Sequence, residues 1–283
     1  MFYHLAFYLL FHQGSAKGSN VIMLKVENVY KSFGGILALN GVSFSVEPNT
    51  ITGLIGPNGS GKSTLFNVIS GFYSKDKGEI YFKGGKIAGL ESHKIAMLGI
   101  GRTFQISEVP EKMTVLENLL LAPKGQTGEG VFNVFLYPLK IKQENEKNLK
   151  RAYEILELIQ LYNLRNEYAG NLSGGQRKLL SLGRILMSEP VLILLDEPTA
   201  GVNPTLIKDL IIAIKNLRDK KGDTILLVEH NMKVISEICD KVIVLDFGKK
   251  IAEGTPEEIQ KNEKVLEAYL SGSSKSDVIH EDS

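Results

Sequence analysis

A glycine-rich segment that directly follows a short apolar run constrains this chain more than any other feature. The run Ile51–Ile55 leads into Gly56–Thr64, which fits the pattern G-x-x-x-x-G-K-[ST]. Glycines let successive backbone N–H groups curl around phosphate oxygens, and the N-terminus of a following helix adds positive potential. The segment therefore predicts a strand, a phosphate-binding loop and a helix, in that order.

Two side chains of this loop have predicted roles. Lys62 is expected to bridge the β- and γ-phosphates of a nucleotide, and the Ser63 hydroxyl to ligate Mg²⁺, which also takes phosphate oxygens as ligands. The pattern also arises by chance, so its place between a strand and a helix is what supports it. The predicted nucleotide-binding residues of the loop are Gly56, Pro57, Asn58, Gly59, Ser60, Gly61, Lys62, Ser63 and Thr64.

A second apolar run ends in two carboxylates. Val191–Leu195 is followed by Asp196 and Glu197. Phosphoryl transfer needs one carboxylate near the metal and one near the attacking water, so we predict Asp196 on the metal side and Glu197 as the general base. A plain core strand capped by acids is the alternative, but it does not explain the phosphate-binding pattern upstream.

The arrangement of the remaining runs predicts the fold class. Thr224–Val228 and Lys241–Leu245 are continuous apolar runs, and helical patterns such as Pro204–Lys221 separate the runs. This alternation is typical of a parallel sheet that is covered by helices and buried on both faces. Earlier in the chain, the runs from Leu24 to Val29 and from Val42 to Val46 also predict strands.

A mostly helical insertion is predicted between these parts. Met113–Leu121 and Asn145–Tyr162 are expected to be helices, with loops at Gly125–Gly130 and at Pro138. We expect one ordered domain over residues 23–270, with a helical subdomain at about 106–188. Residues 1–22 are expected to be a dispensable appendage, and residues 271–283 a flexible tail.

Composition excludes several classes of function. Lys and Arg number 33 against 32 Asp and Glu, so the basic surface of a protein that binds nucleic acid through many phosphates is not expected. The single cysteine, Cys239, has no cysteine partner for a disulfide or a metal pair, and is expected to be a buried bystander. No apolar stretch is long enough to span a bilayer, so membrane association is expected to come through a partner.

One further motif makes a resemblance specific. Asn171-Leu172-Ser173-Gly174-Gly175-Gln176 is similar to the signature sequence of ATP-binding-cassette (ABC) ATPases. The resemblance implies a P-loop NTPase-like α/β fold with a mostly parallel sheet, an N-terminal antiparallel β part and an inserted helical subdomain. It also implies ATP and Mg²⁺ as ligands, and a head-to-tail dimer in which Ser173, Gly174, Gly175 and Gln176 contact the ATP of the opposite subunit.

Further site residues follow from the same resemblance. Gln105 resembles the family's Q-loop glutamine, which reaches the metal and the attacking water, and His230 resembles the switch histidine that contacts the γ-phosphate. Phe33 aligns with the aromatic residue that stacks on adenine, with Tyr30 as a competing candidate. Asn203 stands where many relatives carry an acid, which leaves the positioning of interfacial water open.

The resemblance also indicates a subfamily, the ATPases of branched-chain amino-acid importers and the larger of their two types. It implies ATP hydrolysis coupled to transport, transmembrane permease subunits and a second ABC ATPase subunit as partners, and a peripheral place on the cytoplasmic face of the membrane. Urea import, lipopolysaccharide export and a soluble role in assembly or repair are the alternatives. The segments that carry the resemblance are Phe33-Gly34-Gly35, Arg102-Thr103-Phe104-Gln105, Met113-Thr114-Val115-Leu116-Glu117-Asn118, Gly254-Thr255-Pro256 and Ala268-Tyr269-Leu270.

Overall fold

The computed structural model describes residues 22–103, 109–129, 133 and 136–273. The chain divides into two compact units. The first unit contains the described residues up to Leu98 and from Gly222 onward, and the second contains those between Gly99 and Lys221. Each unit is described separately below.

The first unit begins with an antiparallel sheet. The strands are β1 (Leu24–Phe33), β2 (Ile36–Val46), β4 (Lys77–Phe82) and β5 (Gly85–Lys86). They lie in the order β2-β1-β4-β5. On β2 the buried residues Val42, Phe44 and Val46 alternate with less buried ones, which is the period of a strand with one face on the core.

A second group of strands in the same unit is mainly parallel. β3 (Ile51–Ile55) pairs in parallel with β8 (Thr224–Val228) on one side and with β9 (Lys241–Asp246) on the other, and β10 (Lys249–Gly254) pairs antiparallel with β9. Every residue of β3 and β8 is buried, as expected of strands covered on both faces. The helices of this unit are α1 (Lys62–Ile69), α2 (Ser92–Met97), α7 (Met232–Ile238), α8 (Pro256–Gln260) and α9 (Glu263–Ser273).

The second unit pairs two parallel strands and is otherwise mainly helical. β6 (Ile100–Arg102) runs parallel to β7 (Leu192–Asp196), whose residues are all buried. The described helices of four or more residues here are α3 (Val115–Leu120), α4 (Pro138–Leu158), α5 (Gly174–Met187) and α6 (Pro204–Lys221). The two units together confirm the predicted fold class, an antiparallel N-terminal sheet and a mostly parallel strand group with flanking helices.

Two predicted helices have different bounds in the structure. Met113–Leu121 was expected throughout, but the helix begins only at Val115, because Thr114 is its N-cap in a capping box with Glu117. Asn145–Tyr162 is wrong at both ends, since α4 already begins at Pro138 and ends at Leu158. Pro138 was predicted to mark a loop, but proline is well tolerated at the first helical position, where its missing N–H costs nothing.

Other predictions fall at the edges of the described residues. The expected appendage lies outside them apart from Ile22, and the expected tail lies outside them apart from the end of α9. The domain bounds therefore stay predictions. Cys239 is buried, and burial raises the pKa of its thiol, an effect to which the nearby charges of Asp240 and Glu229 add. Within the described ranges, no helix has both the length and the apolar character needed to cross a membrane.

Candidate active site

The glycine-rich loop joins β3 to α1, as predicted. Lys62 is the first residue of α1, and its side chain turns back into the loop, where its Nζ donates to the carbonyl oxygens of Gly56 and Pro57 at 2.8 Å each. Ser60 Oγ lies 3.4 Å from the same Nζ. Lys62 is only 6% exposed, so its ammonium is largely withdrawn from water and faces the interior of the loop. A desolvated cation in such a loop is a strong partner for phosphate oxygens.

Glycine is required at both ends of this loop. A Cβ on Gly56 would lie 2.0 Å from the carbonyl oxygen of Leu245, and Gly56 has φ +149°. A Cβ on Gly61 would lie 2.5 Å from the carbonyl oxygen of Ala38, and Gly61 has φ +101°. Both backbones therefore combine a conformation that side chains rarely adopt with a close approach that leaves no room for one.

A neighbouring turn holds the loop from outside. The turn between β9 and β10 contains Gly248, whose N–H donates to the carbonyl oxygen of Ser60 at 3.0 Å. The carbonyl oxygen of Gly248 in turn accepts from the N–H of Asn40 on β2 at 2.8 Å. The phosphate-binding loop is thus tied to both strand groups of the first unit, which keeps its conformation defined.

Phe33 ends β1 and is 42% exposed. Its ring lies 5.3 Å from that of Tyr73 in a T-shaped arrangement, and Lys31 Nζ lies over the Phe33 ring at 5.1 Å from its centroid. A half-exposed aromatic ring held by neighbours is suited to stack on a nucleobase. Tyr30, the competing candidate, has its hydroxyl 2.9 Å from the Cβ position of Gly41, within the sheet.

A carboxylate fixes the strand end that carries Phe33. Asp76 accepts from the N–H and the hydroxyl of Ser32 at 2.7 Å each, and from Lys31 Nζ at 3.3 Å. These bonds, above all that from the Ser32 hydroxyl, hold the pKa of Asp76 below its ordinary value. No local sequence pattern points to Asp76 or Tyr73, because their contacts join segments about 40 residues apart.

His230 follows β8 at the same edge of the sheet as the phosphate-binding loop. Val228 is the register partner of Leu54 in a parallel pair, so the ends of β8 and β3 emerge side by side. His230 is exposed, and its N–H donates to the Glu229 carboxylate at 3.1 Å. The next residue, Asn231, caps α7. The backbone on both sides of His230 is thus held while its side chain remains accessible.

In the second unit, Asp196 is the last residue of β7 and is buried. Its Oδ2 accepts from Arg102 Nη2 at 3.1 Å, and its N–H donates to Thr103 Oγ1 at 3.1 Å. Arg102 and Thr103 belong to the segment that leads toward Gln105, which itself lies outside the described residues. The structure therefore fixes the Asp196 end of the predicted site and leaves the role of Gln105 a prediction.

Glu197 has an unusual backbone conformation. Its φ is +46°, in the left-handed region that non-glycine residues adopt only at some cost. The carbonyl oxygen of Glu197 accepts from the N–H of Ala200 at 3.2 Å and from Lys178 Nζ at 3.1 Å. Lys178 also donates to the carbonyl oxygen of Ala200. Lys178 was not identified from the sequence.

The signature segment begins α5. Ser173 is the N-cap, and its Oγ accepts from the N–H of Gln176 at 3.3 Å while Gln176 Oε1 accepts from the N–H of Ser173 at 2.9 Å. A Cβ on Gly175 would lie 2.8 Å from Leu206 Cδ1, so this glycine allows α5 to pack closely on the start of α6. Gly174 has open space at its Cβ position. Ser173 and Gly174 thus form an accessible helix start.

Asn203 has a structural role that the sequence did not indicate. Its Oδ1 accepts from the N–H of Leu206 at 2.9 Å, and its carbonyl oxygen accepts from the N–H of Ile207 at 3.0 Å, at the start of α6. This is the geometry of an N-cap, in which asparagine and aspartate serve about equally well. An asparagine at this position therefore preserves the helix start.

The oxygen donors predicted for Mg²⁺ fit a hard cation. Ser63 is exposed at the start of α1 and offers a hydroxyl, and Asp196 offers a carboxylate. In the part of the chain that the structure describes, no group of three or more His, Cys, Asp and Glu side chains forms a metal cage. Magnesium that is held by one or two protein oxygens, phosphates and water needs no such cage.

Two protein families match this chain. The family described as ABC transporter matches residues 39–200, which is more than half of the chain. The family described as branched-chain amino acid ATP-binding cassette transporter matches residues 249–270. These segments together contain the phosphate-binding loop, the signature, both carboxylates, β10, α8 and most of α9.

Whole-length relatives agree with the family matches. The "Probable branched-chain amino acid transport ATP-binding protein LivG" of Archaeoglobus fulgidus is 44% identical over 248 residues, which cover 88% of this chain and 95% of the relative. The "High-affinity branched-chain amino acid transport ATP-binding protein LivG" of Escherichia coli strain K12 is 40% identical, with coverage of 88% and 97%.

Solved structures show the same fold. The ADP conformation of an ATP-binding cassette of an ABC transporter is 41% identical, with a TM-score of 0.75 and coverage of 88% of this chain and 98% of that one. A dimeric post-hydrolysis state of another ATP-binding cassette, bound to ADP and phosphate, is 27% identical, with a TM-score of 0.67 and coverage of 83% and 99%. The chain belongs to the ABC transporter family of ATP-binding proteins, in which it is similar to LivG-type proteins.

Proposed function

We propose that this chain is the ATP-hydrolysing motor of an importer of branched-chain amino acids. Membership of the ABC transporter family establishes ATP binding and ATP hydrolysis coupled to transport. The observation that supports the substrate class is the match of residues 249–270 to the branched-chain amino acid cassette family, together with the LivG relatives. Urea import, lipopolysaccharide export and a soluble role in assembly or repair are the alternatives.

Each residue of the proposed site has a role in ATP binding or hydrolysis. Lys62 and the loop N–H groups bind the β- and γ-phosphates, Phe33 stacks on adenine, and His230 contacts the γ-phosphate. Glu197 orients the attacking water and accepts its proton, and Gln105 senses the metal and that water. Ser63 and Asp196 would hold Mg²⁺, which would neutralise charge on the phosphates.

We further propose that two copies, or this chain and a second ABC ATPase, associate head to tail. The capping box at the start of α5 does not use the backbone N–H of Gly174, which is suited to contact an anion, while the glycine-rich loop of the first unit is the proposed site for the phosphates of one ATP. A second phosphate contact therefore calls for a second subunit. The dimeric cassette bound to ADP and phosphate supports this arrangement.

The membrane partner is proposed to be a permease, with this chain peripheral on the cytoplasmic face. The experiment is co-expression with the permease subunits of a branched-chain amino-acid importer, followed by reconstitution in vesicles. Leucine, isoleucine or valine presented with the cognate binding protein should stimulate phosphate release, and urea should not. Stimulation by urea alone, or failure to copurify with any permease, would contradict the proposal.

A further inference from the structure

One lysine of α5 contacts the backbone of Glu197, the predicted general base. Lys178 is the fifth residue of α5, one turn after the signature glycines. Its Nζ donates to the carbonyl oxygen of Glu197 at 3.1 Å and to that of Ala200. These are charge-assisted hydrogen bonds, which are stronger and more directional than bonds between neutral groups.

The turn that Lys178 holds is one that the backbone would not favour by itself. Glu197 has φ +46° although it carries a side chain, and Gly201 has φ +68°. Left-handed residues persist where the surroundings over-determine them, and such conformations cluster at functional sites. Here the carbonyl oxygen of Glu197 accepts from both Lys178 and the N–H of Ala200, so the turn is closed from two sides.

The other side of Glu197 is also fixed. Asp196 is anchored by its N–H to Thr103 and by its carboxylate to Arg102. The direction of the Glu197 side chain is therefore set by a rigid strand end before it and by the turn that Lys178 holds after it. Small changes in this turn would swing the carboxylate away from its working direction.

We propose that Lys178 is a positioning residue for ATP hydrolysis, which holds the turn Glu197–Ala200 so that the Glu197 carboxylate faces the attacking water. The inference rests on the proposed role of Glu197 as the general base. Because Lys178 lies on the helix that begins with the signature, a shift of that helix is transmitted to Glu197 in the same subunit. Contact made by Ser173 and Gly174 is thereby linked to hydrolysis.

The test replaces the ammonium while keeping the length of the side chain. Lys178→Met should lower kcat for phosphate release about 10- to 100-fold, the loss expected when a reacting group is misplaced by about 1 Å. Affinity for Mg-ATP, measured with a fluorescent nucleotide, should stay within about twofold, since binding rests on the phosphate loop. Lys178→Arg keeps the charge and should recover most of the turnover. Lys208→Met makes the same change at an exposed position of α6 and is the matched control.

A double variant separates this proposal from the role of Glu197. If Lys178 acts through Glu197, Lys178→Met should add little to the loss already caused by Glu197→Gln. Wild-type turnover in Glu197→Gln alone would overturn the general base, whatever Lys178 does. Turnover near wild type in Lys178→Met, or full additivity in the double variant, would overturn the positioning role while leaving the base in place.

A purely structural role would give a different result. It would lower the melting temperature and ATP affinity together with kcat, and Lys178→Arg would not restore the rate selectively. If Lys178→Met does not fold, Lys178→Gln removes the charge and shortens the side chain while keeping it polar, and the same measurements apply. Selective loss of kcat in that variant supports the proposal, and a parallel loss of ATP affinity contradicts it.

Discussion

Two helices of this molecule begin at glycine-rich segments, and they begin in different ways. α1 has Gly61 at its N-cap with φ +101°, and among the described residues no side chain caps it. α5 has Ser173 at its N-cap, and Ser173 and Gln176 satisfy each other's backbone N–H groups. Similar composition therefore produces one helix start without a side-chain cap and one whose capping box satisfies two backbone N–H groups.

This difference indicates two kinds of anion contact. The start of α1 presents several N–H groups and the ammonium of Lys62, which suits tight binding of a triphosphate in one subunit. The start of α5 is already stable through its capping box and presents less unsatisfied polarity. Such a site is suited to a weaker and reversible contact, as the proposed dimer interface would require if it opens after each cycle.

The largest expected effect is on ATP affinity and comes from a change at the start of α1. Lys62→Ala should lower ATP affinity by at least about 100-fold, or about 3 kcal/mol, because it removes a buried cation from the phosphate loop. Equilibrium titration with a fluorescent ATP analogue measures the loss, and Lys233→Ala, an exposed lysine of α7, is the control. Unchanged affinity in a folded Lys62→Ala protein would refute the assignment of the loop.

The next largest effect should separate ATP binding at the start of α1 from ATP hydrolysis. Glu197→Gln should bind Mg-ATP but hydrolyse it about 10²–10⁴-fold more slowly, since it loses the proposed general base. Intact ATP on α1 should then hold two subunits together through α5. Light scattering with Mg-ATP should show dimer in place of monomer, alongside low phosphate release. Slow turnover without a dimer would indicate that the partner is a different ATPase subunit.

A smaller effect isolates the start of α5. Ser173→Ala removes the N-cap and should cost about 1 kcal/mol of stability. In the Glu197→Gln background it should also weaken the ATP-dependent dimer, while ATP affinity of the monomer is unchanged. Thr255→Ala is a matched control, because Thr255 forms the same capping box with Glu258 at the start of α8. Equal weakening of the dimer by both variants would show that only stability was lost.

The sequence predicted the residues around the start of α1 more completely than the contacts of α5 and of the end of β7. An apolar strand, a glycine loop and a lysine are local features, and local features determine β3, the loop and the start of α1. The contacts of Asp196 with Arg102 and Thr103 join residues more than 90 positions apart, which no local pattern reveals. The same holds for Lys178 and the left-handed conformation of Glu197.

The misjudged start of α4 has a different physical cause. Its first half, from Pro138 to about Lys147, is mostly exposed, so no apolar stripe of helical period marks it. The buried residues of α4 are Ala152, Ile155 and Leu156, all in its second half. Apolar periodicity detects only the part of a helix that packs on a core. The start of α4 is marked instead by the proline at its first position.

The smallest expected effect concerns the end of β1, where Phe33 lies in the first unit. Hydrogen bonds from Ser32 and Lys31 lower the pKa of Asp76 in the folded protein. A carboxyl group whose folded pKa is depressed stabilises the fold above its unfolded value of about 3.9, and this contribution disappears as pH falls through the folded pKa. Asp76→Asn should therefore be slightly less stable than wild type near pH 7.

The difference between the two proteins should shrink as the pH falls below about 4, because Asp76 is then protonated first in the unfolded chain and, at lower pH, in the folded protein as well. Urea unfolding at pH 7, 5 and 3.5 measures this dependence, with Glu154→Gln, at an exposed position of α4, as the control. Since Asp76 is exposed, solvent screening keeps the effect small. A stability difference between wild type and Asp76→Asn that is the same at every pH would contradict this prediction. It would show that hydrogen bonding to Ser32, and not the charge of Asp76, stabilises the end of β1 that carries Phe33.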